Sequence, residues 1–369
     1  MKIGLITMHK VLNFGSVLQA YALQRIIMEL GYDCEIIDYL YPPQKDLGRI
    51  RRFWLGLIDM LIGSPRKKKT RNFSIFYDKF LFLSSEKYDD MKILKDPPQY
   101  DVYIVGSDQV WNPRFCKDKT AFLLGFVPDG KRRIAYSSSF ATSLLPEELE
   151  PKYSYYLNKF DSITVRERSG CSLVNKLTSK DAFVVCDPTI LLKKEQWMGL
   201  ITPNENAKPY ILVYIMSYMF YPYPSINMIV KEVQNKLGLR VIYLEASKHQ
   251  LFKHNSEMYK GGGPLDFLNM IANASFVVTT SFHGAAFSAI MGLPFIGVVE
   301  GNYHKDDRIS SLLNLLDCSK SLIVYNKPFV LDETNIDDYR CKADVIEEYR
   351  KYSIEKLSEM LKKSNTLNA

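Results

Sequence analysis

The 369-residue chain lacks the features that mark several large classes of protein. It has no apolar run of the roughly 18 residues that a membrane-spanning helix needs. Its six cysteines are scattered, with no C-x-x-C pair and no histidine at metal-ligand spacing, so no metal site is predicted. The G-x-G-x-x-G fingerprint is also absent, and a dinucleotide cofactor is therefore not indicated.

Length and composition favour two packed domains of ordinary size. Hydrophobic residues make up 47% of the chain, which is ample for two cores. Met1 and Lys2 lead directly into the strand-like run Ile3–Ile6, a start that does not resemble a signal peptide. We expect a reducing environment and a cytoplasmic location.

The net charge of +7 is concentrated in one segment, between Lys45 and Arg71, where basic residues flank the apolar run Phe53–Ile62. Residues 44–96 are predicted to form a basic, helical insertion. Such a segment can lie peripherally in the interface of an anionic membrane, here the inner face of the cell membrane. Alternatively, it is a solvated lobe whose apolar stripe packs on its own domain. Nucleic-acid binding is less favoured, because no recognised nucleic-acid motif accompanies the charge.

The most informative stretch runs from Ser275 to Val298. It begins with the apolar, β-branched run Phe276–Thr280, which predicts a buried parallel strand, and residues 285–291 then predict a short helix. His283 therefore lies where the strand ends and the helix begins, at the edge of the sheet where open α/β folds bind ligands. An imidazole there can bind an anion and transfer a proton. A capping or core histidine at a tight turn remains an alternative.

Other polar clusters also follow apolar strands of the first half. A strand at Ile3–Met8 is predicted before Asn13 and Gly15, where Gly15 allows close backbone approach and Asn13 offers a neutral hydrogen-bonding group. A tight turn with an Asn cap would explain the same residues. Further clusters follow the strands predicted at 100–106, 133–137, 162–168 and 183–186, and these contain Ser107, Asp108, Ser138, Arg166, Arg168 and Asp187. Because the carboxyl ends of parallel strands share one edge, their convergence predicts a site.

The order of predicted elements indicates an α/β protein with two Rossmann-like domains facing across a cleft. The first spans residues 1–192 and the second 207–342, with a polar linker from Leu191 to Pro209 between them. Residues 343–369 predict a terminal helix that packs back on the first domain. The run Gly261–Gly263 is interpreted as a hinge, an acceptor cradle or a plain loop.

Six blocks resemble a known family when taken together. In order they are MKIGLITMHKVLNFGSVLQAYALQ, YDVYIVGSDQVWNP, RRIAYSSSFA, SITVRERSG, VVCDPTILL and VVTTSFHGAAFSAIMGLPFIGV. They resemble the polysaccharide pyruvyl transferase family from Met1 to about residue 318. The resemblance implies a GT-B-like fold. It also implies transfer of the pyruvyl group of phosphoenolpyruvate onto two hydroxyls of a sugar, which makes a cyclic ketal and releases phosphate without a further cofactor.

The resemblance extends to particular residues. The well-characterised branch of the family has Ser-Arg-x-His after this strand, with the Arg holding the donor and the His acting as the acid. Here the stretch reads Thr-Ser-Phe-His, so that His283 matches and Ser281 stands at the Arg position. Arg166 matches the family's Val-Arg block and is the candidate ligand of the donor carboxylate. Arg168 is added from its spacing as a second candidate ligand.

The chemistry assigns roles to these side chains. Phosphoenolpyruvate is highly anionic, so its site needs fixed positive charge and backbone N–H groups. His283 is the natural general acid, Asp108 is a candidate base for the acceptor hydroxyls, and a turn cap is the favoured interpretation of Asp187. The predicted substrate-binding residues are Asn13, Gly15, Ser107, Ser138, Arg166, Arg168, Ser281 and Gly284.

Two other functions remain open at this point. A GT-B glycosyltransferase would place a nucleotide-sugar near Gly261–Gly263 and the helix that begins at Gly284, and Ser281 in place of Arg strengthens that alternative. A non-catalytic scaffold of envelope-polysaccharide assembly would dock through the basic segment. The expected partners are phosphoenolpyruvate and a sugar acceptor, which is lipid-linked in one interpretation, and no nucleic acid.

Overall fold

The computed structural model describes residues 1–41, 64–116, 119–202, 208–217, 220–245, 255–302 and 306–362. The apolar run Phe53–Ile62 and the basic residues from Lys45 to Arg52 lie outside the described residues. Of the predicted insertion, the part from residue 64 onward is described.

The first sheet is parallel, with seven strands in the described residues and the order β3-β2-β1-β4-β5-β6-β7. Its strands are β1 (Lys2–Ile6), β2 (Asp33–Tyr39), β3 (Leu83–Tyr88), β4 (Val102–Val105), β5 (Arg132–Ser138), β6 (Ser162–Val165) and β7 (Ala182–Val184). The helices of this half are α1 (Phe14–Glu29), α2 (Pro65–Phe80), α3 (Asp90–Lys95), α4 (Pro113–Cys116), α5 (Glu150–Leu157), α6 (Arg168–Leu177), α7 (Pro188–Leu191) and α8 (Lys194–Met198). Short 3-10 turns occupy Ala121–Leu123 and Glu147–Leu149.

The second sheet is also parallel, and the described part of the chain gives it six strands in the order β10-β9-β8-β11-β12-β13. Its strands are β8 (Tyr210–Tyr214), β9 (Arg240–Leu244), β10 (Ser256–Tyr259), β11 (Phe276–Thr279), β12 (Phe295–Val299) and β13 (Leu322–Val324). The helices that follow are α9 (Ser225–Leu237), α10 (Pro264–Ala272), α11 (Phe282–Met291), α12 (Arg308–Leu315) and α13 (Ala343–Lys362), with 3-10 turns at Ser319–Ser321 and Glu333–Tyr339.

Central strands are evident from the sequence, whereas edge strands are not. β4 (VYIV) and β11 (FVVT) are buried along their whole length, as continuous apolar runs in a parallel sheet should be. β3 (LSSEKY) and β10 (SEMY) are polar edge strands, and β13 has only three residues. A strand with one free edge needs no apolar run, so its pattern is weak.

The basic insertion is not simply helical. α2 is followed by β3, which extends the first sheet by pairing with β2, and then by the short α3. The prediction of a helical segment over 44–96 is therefore wrong for Leu83–Tyr88.

Helix α2 also reaches the second sheet, at the glycine run 261–263. A Cβ on Gly263 would lie 2.5 Å from the Cβ of Asn72, and one on Gly261 would lie 2.8 Å from the carbonyl oxygen of Pro65. Lys69 pairs with Glu245 at 2.5 Å. In this structure the run is a docking surface for α2, which differs from the predicted hinge, acceptor cradle or plain loop.

Residues predicted as a polar linker contain a buried anchor between the two sheets. Trp197 of α8 is fully buried, with ring centroids 5.8 Å from Tyr21 of α1 and 5.0 Å from Phe287 of α11. An indole buried between elements of both halves ties them together through apolar contact.

The C-terminal helix α13 contacts the first sheet. The backbone N–H of Cys186 donates to Ser353 Oγ at 2.9 Å, and Arg350 Nε donates to the carbonyl of Ile190 at 2.7 Å. The guanidinium of Arg132 binds the carbonyls of Met360 and Leu361 at the end of α13. In the described residues no helix is both long and apolar enough to span a membrane.

Candidate active site

Both sheets reverse their strand order at the same relative place. The first sheet grows from β1 in one direction to β2 and in the other to β4, and the second does so from β8 to β9 and β11. Ligands of doubly wound sheets bind in the crevice at this switch point, outside the carboxyl ends of the strands. The segments that follow β1, β4 and β11 contain Gly15 at the start of α1, Asp108 in a loop and His283 at the start of α11, and these segments meet.

Asp187 lies at the centre of the cluster. Its Oδ2 is 2.9 Å from Arg166 Nη1, 3.1 Å from Ser107 Oγ and 3.6 Å from His283 Nε2. Its Oδ1 accepts hydrogen bonds from the backbone N–H and the hydroxyl of Thr189, so that Asp187 is the N-cap of α7. The predicted turn cap is therefore present, and the second carboxylate oxygen joins the first sheet to His283.

The environment of Asp187 favours its ionised form. Burial alone would raise the pKa of this carboxyl group, but the adjacent His283 and Arg166 side chains and the Thr189 N–H hold the pKa below its usual range. An ionised carboxylate beside an imidazole fixes the ring's orientation and stabilises its protonated form.

His283 is the second residue of α11 and is 6% exposed. Its Nε2 faces Asp187 and has no hydrogen-bond partner among the described residues. The other side of the ring contacts Gly15 of α1, in the first half of the protein. A Cβ added to Gly15 would lie only 2.0 Å from His283 Nδ1. Close backbone approach, as predicted for Gly15, is thus made to the candidate acid itself.

The start of α11 explains what Ser281 and Gly284 do. Ser281 is the N-cap, and its Oγ accepts from the backbone N–H of Gly284 at 3.3 Å. A Cβ at Gly284 would lie 2.4 Å from Thr279 Oγ1, so only glycine lets the helix start this close to β11. At the position where the family's well-characterised branch has Arg, this chain has a capping serine.

Arg166 is 3% exposed and follows the last residue of β6. Its Cζ lies 4.2 Å from the centroid of the Phe282 ring, a cation–π contact across the two halves. Nη2 is 3.8 Å from Asp108 Oδ1, and Nε is 3.9 Å from Glu167 Oε2. Neither of these nitrogens has a hydrogen-bond partner among the described residues.

Arg168 lies apart from this buried group. β6 ends at Val165, so residues 166–168 do not continue as the regular strand that the prediction assumed, and Arg168 begins α6 with an exposed side chain. Arg166 and Arg168 therefore do not point to one face as residues i and i+2 of a regular strand would, because the backbone has left the strand. Nothing in the structure supports Arg168 as a ligand.

Three other predicted residues have structural partners. Asn13 is the N-cap of α1 and accepts from the backbone N–H of Ser16 at 3.2 Å, which matches the Asn-cap alternative. Ser138 is fully buried, and its hydroxyl lies 3.3 Å from the carbonyl of Val105. Ser107 Oγ is 2.7 Å from the carbonyl of Ser137 and 3.1 Å from Asp187 Oδ2, so its single proton can serve either.

Asp108 turns towards the cluster from the loop after β4. Its backbone has a φ of 69°, its Oδ1 accepts from the Gln109 N–H at 2.9 Å, and its Oδ2 accepts from the hydroxyl of Ser16. Ser16 was not predicted as a site residue, although it stands beside Gly15 in the sequence. Asp108 is thus an ordered, mostly buried acceptor at the edge of the cluster.

Glu167 is the second residue that the sequence reasoning missed. Its Oε1 accepts from Ser139 Oγ at 3.0 Å and from the N–H groups of Phe140 and Ala141 at 2.9 and 3.2 Å. Complete burial raises the pKa of Glu167 to about 7, although Arg166 opposes the shift. The only signal in the sequence was its place inside the polar run after β6.

The N-termini of two helices meet at the cluster. α1 begins at Phe14 and α11 at Phe282, and neither has an acidic residue in its first turn. Their free backbone N–H groups and positive dipole ends favour an anion between them. Among the described residues no group of three or more His, Cys, Asp or Glu side chains could hold a metal ion.

The first and second halves are also joined beside the site, at the start of α6. The hydroxyl of Ser169 donates to Asp307 Oδ1 at 2.7 Å, and its N–H donates to Oδ2 at 3.3 Å. Asp307 precedes α12 of the second half. The cluster is therefore enclosed by contacts from both sheets.

Comparison with known proteins agrees with this architecture. The sequence model of the polysaccharide pyruvyl transferase family matches residues 13–302. The chain is structurally similar to UDP-GlcNAc 2-epimerase of Methanocaldococcus jannaschii in complex with UDP-GlcNAc and UDP, at 13% identity and a TM-score of 0.52, covering 98% of this chain and 99% of that one. It is similar to S. aureus MnaA with UDP at 13% identity and a TM-score of 0.51, covering 98% and 90%.

At such identities these similarities concern the fold alone. They confirm the predicted α/β fold of two Rossmann-like halves in a GT-B-like arrangement. A comparison with curated protein sequences gives no match.

Proposed function

This chain belongs to the polysaccharide pyruvyl transferase family, and we propose that it transfers the pyruvyl group of phosphoenolpyruvate onto two hydroxyls of one sugar, with release of phosphate. The acceptor in this proposal is a precursor of a cell-surface polysaccharide, and the product is a cyclic ketal. No cofactor is required in the scheme.

One observation supports an anionic donor most directly. Three buried nitrogens, His283 Nε2, Arg166 Nε and Arg166 Nη2, have no hydrogen-bond partner among the described residues. Each of them faces a carboxylate oxygen, but only at 3.6–3.9 Å, and buried donors are nearly always satisfied in folded proteins, so the three together favour an acceptor that comes closer. The N-termini of α1 and α11 add backbone N–H groups at the same place.

In the proposed complex different donors bind the two anionic groups of phosphoenolpyruvate. Arg166 binds the carboxylate, because a guanidinium matches a carboxylate in charge and shape. The helix N-termini bind the phosphate and thus take over the role of the family's Arg, which Ser281 replaces here. Phe282 holds the guanidinium plane from the second half.

The proposed reaction then proceeds in two additions. His283 protonates the methylene carbon of phosphoenolpyruvate, and the cation that forms at C2 is trapped by one acceptor hydroxyl. The C2–O bond to phosphate breaks, a second cation forms, and the neighbouring hydroxyl closes the ring. Of the two hydroxyl protons, one restores to the enzyme the proton that His283 gave to the methyl group. The other leaves on phosphate, so that charge and protons balance.

Asp187 and Asp108 have different parts in this scheme. Asp187 touches His283 and Arg166 and positions both side chains. Asp108 lies at the edge of the cluster, with its Oδ1 3.8 Å from Arg166 Nη2. In this scheme its carboxylate accepts the proton of an attacking hydroxyl.

A nucleotide-sugar glycosyltransferase is the second candidate. It is favoured by one feature, the capping serine at 281 where an Arg ligand of the donor is expected. The cluster also has three carboxyl groups, Asp108, Glu167 and Asp187, around a single Arg, so acidic groups outnumber its fixed positive charge. A donor with less charge than phosphoenolpyruvate would suit that balance.

Ligand-dependent stability distinguishes the two functions. A ligand that binds the native state raises the unfolding temperature with its concentration. Phosphoenolpyruvate should raise the unfolding temperature of the native protein and have much less effect on Arg166→Lys, while Arg168→Ala, a matched surface control, should respond as the native protein does. Stabilisation by UDP-sugars with no response to phosphoenolpyruvate would reject pyruvyl transfer in favour of the glycosyltransferase.

A further inference from the structure

Helix α2 has most of the excess positive charge of the protein. It contains six basic residues and one acidic residue, a net charge of +5 out of +7 for the whole chain. Lys69 is neutralised by Glu245 of the second half. The remaining basic residues of its first two turns, Arg66, Lys67, Lys68 and Arg71, are exposed.

The helix has two distinct faces. Phe73 and Phe76 are fully buried and join the core, and Phe73 lies 5.6 Å from Phe14 between ring centroids. At 3.6 residues per turn, Lys67, Lys68, Arg71 and Ile75 lie on the opposite side, whereas Arg66 lies on the side of Phe73. Ile75 is 48% exposed and places an apolar side chain on this face, between Arg71 and the exposed Asp78, its one acidic residue.

We propose that this outer face of α2, formed by Lys67, Lys68, Arg71 and Ile75, docks onto an anionic lipid bilayer. A helix that presents Lys and Arg together with an apolar side chain fits the interface of such a bilayer, where acidic headgroups attract the bases and the acyl boundary accepts the apolar group. Nucleic acid would use the charge but not Ile75, and no recognised nucleic-acid motif is present in the sequence.

The position of α2 connects this surface to the candidate site. The inner side of the helix contacts Phe14, which begins α1 and is followed by Gly15 against His283. A helix is only about 10 Å thick, so docking would hold the crevice close to the lipid surface. If the proposed pyruvyl transfer is correct, a lipid-linked acceptor could be modified without leaving the bilayer. The docking itself does not depend on that function.

Co-sedimentation with vesicles tests the proposal on the full chain. Vesicles of 70:30 phosphatidylcholine and phosphatidylglycerol are compared with pure phosphatidylcholine at low and high NaCl. The triple variant Lys67→Gln, Lys68→Gln, Arg71→Gln should bind the anionic vesicles roughly 100-fold more weakly, at about fivefold for each basic side chain. The matched control Lys231→Gln, Lys327→Gln, Lys351→Gln removes three exposed charges elsewhere and should retain the binding.

The outcomes separate cleanly. Binding to anionic vesicles that high salt and the α2 triple variant both abolish supports the proposal. Equal binding to pure phosphatidylcholine, equal loss in the two triple variants, or no vesicle binding at low salt would overturn it. Retention of RNA by the native protein but not by the α2 variant, without vesicle binding, would assign the face to nucleic acid instead. Because the substituted side chains are exposed, the unfolding temperature should be unchanged.

Discussion

Gly15 and His283 touch across the two halves of the protein. A Cβ built on Gly15 would lie 2.0 Å from Nδ1 and 2.5 Å from Cβ of His283, so no other residue fits at position 15 without moving the ring. The contact brings the N-terminus of α1 to the N-terminus of α11. Asp187 holds the same ring from the Nε2 side.

Gly15→Ala should therefore impair the proposed transfer while leaving both halves folded. The added methyl group displaces the imidazole or separates the halves, and an ångström of misplacement at a reacting group can cost about 100-fold in rate. Steady-state kinetics with phosphoenolpyruvate would measure kcat/KM. Gly199→Ala is the control, because its Cβ would have no neighbour closer than 3.5 Å. Equal activities would show that His283 tolerates displacement.

His283→Asn should lower kcat by about 10²–10⁴-fold, the usual contribution of a general acid, with little change in unfolding temperature. Asp187→Asn keeps an oxygen to cap α7 but removes the charge beside the imidazole. It should therefore move the alkaline limb of the pH–rate profile, on which a general acid loses its proton, and a purely structural residue would not do this. Native-like turnover in His283→Asn would remove the imidazole from the mechanism.

Arg166→Ala should weaken donor binding and also destabilise the protein. Its removal leaves Asp187 and Glu167 buried without their nearest cation, a loss that typically costs about 3–5 kcal/mol. Urea unfolding measures the free energy of unfolding, and calorimetric titration measures the affinity for phosphoenolpyruvate. Arg168→Ala, at an exposed position two residues away, should leave both unchanged. A reduction of similar size in both variants would contradict the assignment of Arg166.

Glu167 should make the protein less stable as pH rises. Its pKa is about 7 in the folded protein against 4.5 for a model carboxyl group, so the folded state binds more protons than the unfolded state between these values. Stability is therefore lost as pH rises from about 4.5 to 7, by on the order of 3 kcal/mol. Glu167→Gln removes this dependence, and unfolding temperatures measured from pH 5 to 8 should fall more for the native protein. If the unfolding temperatures of the native protein and of Glu167→Gln change in parallel with pH, Glu167 ionises as an ordinary glutamate does.

Local pattern was sufficient for the buried strands and for most residues of the buried cluster at the strand ends. Continuous apolar runs such as VYIV and FVVT predict central parallel strands, and the polar residues directly after them predict the rim of a site. His283, Arg166, Asp108 and Gly15 were found in this way. The polar edge strand β3 escaped detection, since its stability comes from pairing with β2 and not from its own side chains.

The sequence by itself determined the fold class, the family and the residues at the strand ends, because these follow from short-range periodicity and from six ordered blocks. Only the tertiary structure decided which of those residues meet. It joined Asp187 to His283, buried Glu167 beside Arg166 and turned Arg168 outward at the end of β6. It also set α2 on the glycine run of the second half. These contacts join residues tens to hundreds of positions apart, or depend on where the backbone leaves a strand, and no local pattern encodes either.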